Sequence, residues 1–478
     1  RRATTTALNA RLIPLLRDLI ATVRVTLEWL GVTAPLMIVR GDGSLVRAEW
    51  AMQRPIETIL SGPAASMLGA WHLGGRRHTW VVDVGGTTTD IGMLHDGRPR
   101  LNPEGAQVGQ WRTMVEAVDV HTVGLGGDSL VSLDRERRLS IGPRRVAPLC
   151  MLAHEHPDVI RDLRWRVEGR QRLGEQYVMA VGGRTPARGL AERDEEILGE
   201  LAKGPLSLPS LLDRLRYGAL IERRLEDLEA RRLALRAGFT PTDALHALGR
   251  FVRWNAEASR LGAELLAGQL ETTPEAFCER VVAGVSERIA RELVSKTLSD
   301  EVTLPDWGRE PTAAALLERA LGEVPQSRLG CQLTLRDPVM AIGAPVEAYA
   351  PQIARQLNTE VVISPHAGVA NAVGAAVGGV IQEMRVLVRP MDAGAFYRAH
   401  LPDGVQDFPT LEEGVAYASR AVLSQLEAAA REAGADQIEI RVNRIDQHAP
   451  VAAGWGQEVH LRTELVFTAV GRPSPARE

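Results

Sequence analysis

Seven residues within a span of eight carry the first chemical signal: Asp83, Gly85, Gly86, Thr87, Thr88, Thr89 and Asp90, in the stretch "VVDVGGTTTDIGML". Glycines let backbone amides approach an anion closely, because no Cβ intervenes. Threonine hydroxyls add neutral donors, so such a loop can hold phosphate without lysine. Asp83 and Asp90, one at each end, suit magnesium, which takes a few carboxylates together with water and phosphate oxygens. Gly-Gly alone would read as an ordinary turn. The density of informative residues between two apolar runs favours a hairpin that cradles nucleotide phosphates.

Further pieces follow in order along the chain. "TVGLGGDS", from Thr122 to Ser129, is a second glycine-rich loop. It offers Gly126, Gly127 and Ser129 to phosphate and adds a carboxylate, Asp128, that either binds metal or repels phosphate. "AIGAP", which contains Gly343, is a run of small residues at a strand–helix junction. His121 precedes the second loop and is a candidate general base or metal ligand, since imidazole titrates near neutral pH. A histidine bonded to backbone is the competing reading, and Asp119 is expected on the same strand face. His154 and His156 lack zinc-type company and read as a polar turn. Thr240, Thr242 and Asp243 in "GFTPTDALHALGR" are expected to cap a helix starting near Pro241.

These residues need elements to position them. Leu8, Leu12, Leu15, Leu16, Leu19, Ile20, Val23, Leu27 and Leu30 have helical spacing, with Gly31 as a stop. Trp80 to Val82 and the run after Asp90 are antiparallel strands, and Asp96-Gly97 is a hairpin turn. From 151 to about 320 strand signals thin out. There "DEEILGELAKGPLSLPSLLDRL" and "LIERRLEDLEARRLALRAGF" follow the order of a winged-helix module. A mixed pattern resumes at 337, and 384–478 reads as strand, helix, strand, strand. The expected domains are 1–150, a first lobe with the phosphate hairpin; 151–255, a helical, winged-helix-like insert; 256–390, a second lobe with the adenosine-type loop; and 391–478, a small α+β domain.

Composition narrows the class. The 478 residues are 45% hydrophobic and 24% charged, as in soluble proteins that bury sizeable cores. Net charge is -4 with signs intermixed, which argues against a nucleic-acid partner. The arginines of the insert (Arg214, Arg216, Arg223, Arg224, Arg231, Arg232, Arg236) are offset by Glu222, Glu226, Asp227 and Glu229, so no contiguous basic face is expected. Three widely spaced cysteines give no disulfide framework, and a cytoplasmic setting is expected. No run of about 18 apolar residues is present, so no membrane partner is expected. The chain opens "RRATTT", without Met, and is expected to be a piece of something longer.

Taken together, "TTTALNARLIP", "PLMIVRGDGSLV", "SGPAASMLGA", "VVDVGGTTTDIGML", "VDVHTVGLGGDS", "GFTPTDALHALGR", "AGVANAVGAA" and "TAVGRP" resemble the A-type subunits of the hydantoinase/oxoprolinase family. The hairpin alone marks only the wider superfamily of actin, sugar kinases and heat-shock-protein-70 ATPases. The resemblance implies an α/β fold of ribonuclease H-like (actin-like ATPase) lobes, with ATP and Mg2+ as cofactors. It implies ATP-dependent opening of a cyclic amide, such as a hydantoin or 5-oxoproline, through phosphorylation of the amide oxygen. Such chemistry rests on positioning and charge stabilisation. Asp83, Asp90 and His121 would then be catalytic. Gly85, Gly86, Thr87, Thr88, Thr89, Gly126, Gly127, Ser129 and Gly343 would hold the nucleotide, and Asp83, Asp90 and Asp128 the metal. A B-type subunit, a fused B-type half or a second copy is the implied partner. Related acetone carboxylase subunits make a carboxylase the alternative, and a non-catalytic ATP-binding regulator using the insert is a third class. Two departures stand out: the family usually begins with a domain carrying its own hairpin, and it tends to show glycine in place of Asp128.

Overall fold

The apolar run ahead of Asp83 forms a buried strand, β1 (Thr79–Val84), and the run after Thr88 forms β2 (Thr89–His95). They pair antiparallel, with Asp83 opposite Asp90 and Val84 opposite Thr89. The computed structural model describes residues 1–169, 176–182, 190–216, 221–322, 327–450 and 458–474. Part of the expected 151–255 insert therefore lies outside the described residues. The chain forms two compact units, each assembled from separated stretches.

One unit comprises Leu73–Gly97 and Val120–Ala370. On one side of the hairpin, β3 (Val120–Val123) runs antiparallel to β2. A second hairpin follows, β4 (Ser129–Leu133) with β5 (Leu139–Arg145). On the other side of β1 lie β6 (Val339–Ile342) and β7 (Val361–Ile363), both parallel to it. Within this unit the strand order is β7-β6-β1-β2-β3. The parallel strands β1 and β6 are almost wholly buried, which explains their unbroken apolar sequences. Helices α1 (Pro241–Ala247), α2 (Ala256–Gln269) and α3 (Pro274–Glu301) follow. On α3, Phe277, Val281, Val285, Ile289 and Leu293 recur every four residues and are buried, a helical stripe facing the core.

The stretch expected to be a helical insert also contributes strands. Short strands Ala147–Pro148, Ala234–Gly238, Tyr177–Ala180 and Leu206–Ser207 form a sheet in that order. Helices Glu192–Leu201, Leu208–Leu215 and Ile221–Ala230 bury Ile197, Leu201, Leu211, Leu225 and Leu228 in one cluster with Val178. Strands of two to five residues are too short to register as a clear periodic pattern, so helices dominate the reading of this stretch.

The other unit comprises Arg1–His72, Arg98–Asp119 and Asn371–Glu478. Its main sheet is antiparallel, in the order Gly404–Phe408, Phe396–Leu401, Val380–Met391, Glu458–Pro473, Ala435–Pro450. Helix Leu411–Glu432 contributes Ala418, Val422, Leu426 and Ala430 to a core with Val386, Val388, Leu465 and Phe467. Burial alternates along Glu458–Pro473, as expected of a strand with one face covered. The hairpin Phe396–Leu401/Gly404–Phe408 is additional to the four elements expected there, although Asp403-Gly404 is a turn signal. The small-residue segments pack tightly: a Cβ on Gly374 would lie 1.8 Å from the Ala65 carbonyl oxygen. Among the described residues no helix is long and apolar enough to cross a membrane.

Candidate functional site

The hairpin tip is closed by the Gly85 N–H, which donates to the Thr88 carbonyl at 2.9 Å. Gly86 and Thr87 are exposed and Thr88 is half-buried. Among the described residues, the N–H groups of Gly86, Thr87 and Thr88 meet no protein acceptor. Three successive amides at a strand end that no protein acceptor takes are open to solvent or to an anion.

The second loop lies under this tip. Gly127 N–H donates to the Gly85 carbonyl at 3.0 Å and Asp128 N–H to the Gly86 carbonyl at 2.7 Å. Gly126 N–H donates to Ser129 Oγ at 2.9 Å, and Ser129 N–H to the Gly126 carbonyl at 3.1 Å. The Thr89 hydroxyl donates to the Leu125 carbonyl at 2.8 Å and is buried. The Gly127 and Asp128 amides and the Thr89 hydroxyl thus hold hairpin and loop together, while the Gly126 and Ser129 amides bond within the second loop. A Cβ on Gly126 would lie 2.5 Å from the Gly86 carbonyl oxygen, so glycine is required by the close approach of the two loops. Gly343 supports the hairpin by another route. It has φ +102°, its N–H donates to the Ala367 carbonyl at 3.0 Å, and a Cβ there would lie 2.1 Å from the Val84 carbonyl oxygen.

Asp83 and Asp90, directly opposite on β1 and β2, share one face of the sheet. Thr122, opposite Asp90 on β3, donates its hydroxyl to Asp90 Oδ1 at 2.6 Å. Burial pushes the Asp90 carboxyl up, the Thr122 hydrogen bond opposes this, and the Asp83 charge adds to the rise. Among the described residues no group of three or more His, Cys, Asp or Glu side chains is arranged to hold a metal. Two carboxylates leave most of a coordination sphere to water and phosphate, which fits magnesium and not a closed zinc site. Asp128, the third residue expected to hold metal, faces a cation of the protein itself. Its Oδ2 accepts from Arg145 Nε and Nη2 at 3.3 and 3.2 Å. Burial pushes the Asp128 carboxyl up, and Arg145 pulls it back down.

His121 is separated from this site by the two-residue period of its strand. Thr122 shares the face of Asp90, so His121, opposite Ile91, projects to the other face. There its Nε2 lies 2.8 Å from Glu292 Oε2 on α3. Glu292 carries no signal in the sequence, 171 residues from its partner. Asp119 accepts from Arg100 at 2.6 Å.

The "TPTD" motif caps α1 as expected, with a reciprocal Thr240–Asp243 capping box. It does more besides. The Asp243 carboxylate is fully buried and accepts from the Leu149 and Cys150 amides, the Thr240 amide and hydroxyl, and the Ser259 hydroxyl. Thr242 N–H then donates to the Gly127 carbonyl at 3.0 Å, linking α1 to the second loop.

The hydantoinase/oxoprolinase family model matches residues 2–384. Over 156 residues the chain is 30% identical to caprolactamase subunit alpha of Pseudomonas jessenii, a match spanning 31% of this chain and 22% of that one. Over 101 residues it is 29% identical to the acetophenone carboxylase gamma subunit of Aromatoleum aromaticum, spanning 20% and 14%. Two solved structures share its mixed α/β fold. The nucleotide-free acetone carboxylase, from a study of ATP-dependent acetone carboxylation, has a TM-score of 0.51 at 13% identity, covering 96% of this chain and 55% of that one. The ATP-dependent caprolactamase of Pseudomonas jessenii has a TM-score of 0.50 at 15% identity, covering 98% and 58%. The chain thus spans little more than half the length of either solved chain.

Proposed function

The chain belongs to the hydantoinase/oxoprolinase family, and from that premise we propose that it is the ATP- and magnesium-binding subunit of an enzyme that opens a cyclic amide of the hydantoin or 5-oxoproline type. The single observation that carries this reading is the row of free amides at Gly86, Thr87 and Thr88 beside the in-register pair Asp83 and Asp90. Neutral donors for an anion stand next to two carboxylates for a hard cation, which is what a metal–phosphate complex needs. When bound, magnesium-ATP would supply the phosphoryl group that, placed on the amide oxygen, would make the amide carbon open to attack by water. The three amides would hold phosphate charge, Asp83 and Asp90 the cation, and Thr122 would orient Asp90. The order β3-β2-β1-β6-β7, antiparallel then parallel, supports describing this sheet as ribonuclease H-like. A lactam is itself a cyclic amide, so the caprolactamase match supports the hydrolase reading. The remaining catalytic groups would come from a B-type partner or a second copy.

A second reading, an ATP-dependent carboxylase, is favoured by the match to the acetophenone carboxylase subunit. Bicarbonate separates the two. The test is magnesium-dependent ATP hydrolysis scanned over hydantoins, 5-oxoproline, lactams, and ketones with bicarbonate, beside an Asp83→Ala variant. Turnover stimulated by a cyclic amide and lost in the variant is expected. Stimulation only by a ketone with bicarbonate would transfer the assignment to the carboxylase, and failure to bind ATP would remove both.

A further inference from the structure

The proposed phosphate loop has no cation of its own. No Lys or Arg lies between Asp83 and Asp90. Asp83 and Asp90 share its base, and Asp128 Oδ2 lies 2.9 Å from where a Cβ of Gly86 would be. A triphosphate arriving there would face three carboxylates. Magnesium at the Asp83–Asp90 pair offsets part of that charge, but it does nothing for Asp128.

Arg145 is placed to do so. Its backbone is fixed against the second loop twice: it lies opposite Ser129 across β4 and β5, and the adjacent Val146 N–H donates to the Asp128 carbonyl at 2.9 Å. Its guanidinium rests on Asp128 Oδ2, the same oxygen that lies against Gly86. One carboxylate oxygen thus separates a guanidinium from the exposed end of the hairpin. The Arg145 side chain is 63% exposed, so its fork has room to turn toward a ligand while Asp128 restrains it. Guanidinium presents paired donors that match phosphate oxygens, and charge-assisted bonds of this kind exceed neutral ones in strength.

We propose that Arg145 is a nucleotide-binding residue that contacts the terminal phosphate at the hairpin tip, with Asp128 as the positioning residue that holds it there. The pair gives the site a preference for triphosphate over diphosphate. It also accounts for a carboxylate beside a phosphate loop: Asp128 is neutralised by the cation that it positions. This inference rests on the ATP-binding reading above, and the test keeps the two apart.

Nucleotide affinity would be measured by titration calorimetry on the full chain with magnesium, using ATP and ADP separately. Arg145→Ala is expected to weaken ATP binding about 10- to 100-fold, the range of a lost charge-assisted hydrogen bond, and ADP binding by less than about threefold. Arg145→Gln, which keeps the length of the side chain, should reproduce this split with an unchanged thermal midpoint. Adding Asp128→Gly to Arg145→Ala should recover part of the lost ATP affinity, because the unneutralised carboxylate is gone. Equal losses for ATP and ADP, or no loss, would overturn the assignment of Arg145 while leaving the ATP site in place. Binding of neither nucleotide by the unaltered chain would overturn the ATP site and this inference with it.

Discussion

Gly343 combines a positive φ of +102° with a Val84 carbonyl oxygen 2.1 Å from where its Cβ would lie. Gly343→Ala must therefore strain the backbone and push β1 at the root of the hairpin. A loss of at least about 2 kcal/mol in denaturant unfolding is expected. Gly368→Ala, whose Cβ would meet nothing nearer than 3.6 Å, should change little; equal behaviour of the two would contradict the geometry. Asp90 makes a prediction of opposite sign. Burial holds its carboxyl above the ordinary range, so the folded chain binds that proton more readily than the unfolded one. Stability then falls as pH rises through this window, and the penalty persists at neutral pH. Asp90→Asn keeps an oxygen for Thr122 and removes the charge. It should raise the thermal midpoint at pH 7 by on the order of one or two degrees, with the gain vanishing as the pH drops below the ordinary carboxylate range. Magnesium-dependent turnover should be lost in the same variant.

Among the elements, α1 and the second loop act as a stack beneath the hairpin, with Asp243 as its foot. Asp243→Ala would strand five buried donors and should cost about 3–5 kcal/mol, with Asp243→Asn falling between. Hydrogen exchange would show whether the stack is mechanical: the Gly127 and Asp128 amides should lose protection in Asp243→Asn, whereas β6 should not. The hairpin was legible in the sequence because everything that makes it is local: two apolar runs, Gly-Gly and flanking acids within fourteen residues. The helix cap at Thr240 was legible for the same reason. The buttressing role of the second loop was not, since it depends on backbone bonds from Gly127 and Asp128 to carbonyls some forty residues earlier. Sequence shows which residues are glycine but not which neighbour comes close. His121 illustrates a different failure. Its strand was identified, but the face it takes follows from register, and register is set by pairing with β2.

At the scale of the whole molecule, the net charge of -4 and the pairing of three of the seven arginines singled out between 214 and 236 bear on the choice between an enzyme and a nucleic-acid-dependent regulator. Arg224 is bound to Asp194 and Arg214 to Glu200, while Arg236 is buried between Glu222 and Glu229. Arginines so engaged are poorly available to phosphates, whose neutralisation supplies most non-specific affinity. The protein should pass through a duplex-DNA column at about 50 mM salt; retention that falls steeply with added salt would restore the regulator.

The hairpin tip has one more property. Its Gly85, Gly86 and Thr88 carbonyls accept from protein donors, while the amides of Gly86, Thr87 and Thr88 meet no acceptor among the described residues. The peptides joining Gly85 to Gly86 and Gly86 to Thr87 thus each have a bonded carbonyl and an unbonded amide, an arrangement made without an ionisable group. A grip built this way cannot be titrated off. These amides do not titrate over the range in which histidines and carboxylates change charge, so acid sensitivity of the complex has to enter through the phosphate itself, the carboxylates at Asp83 and Asp90, or the Asp128–Arg145 pair.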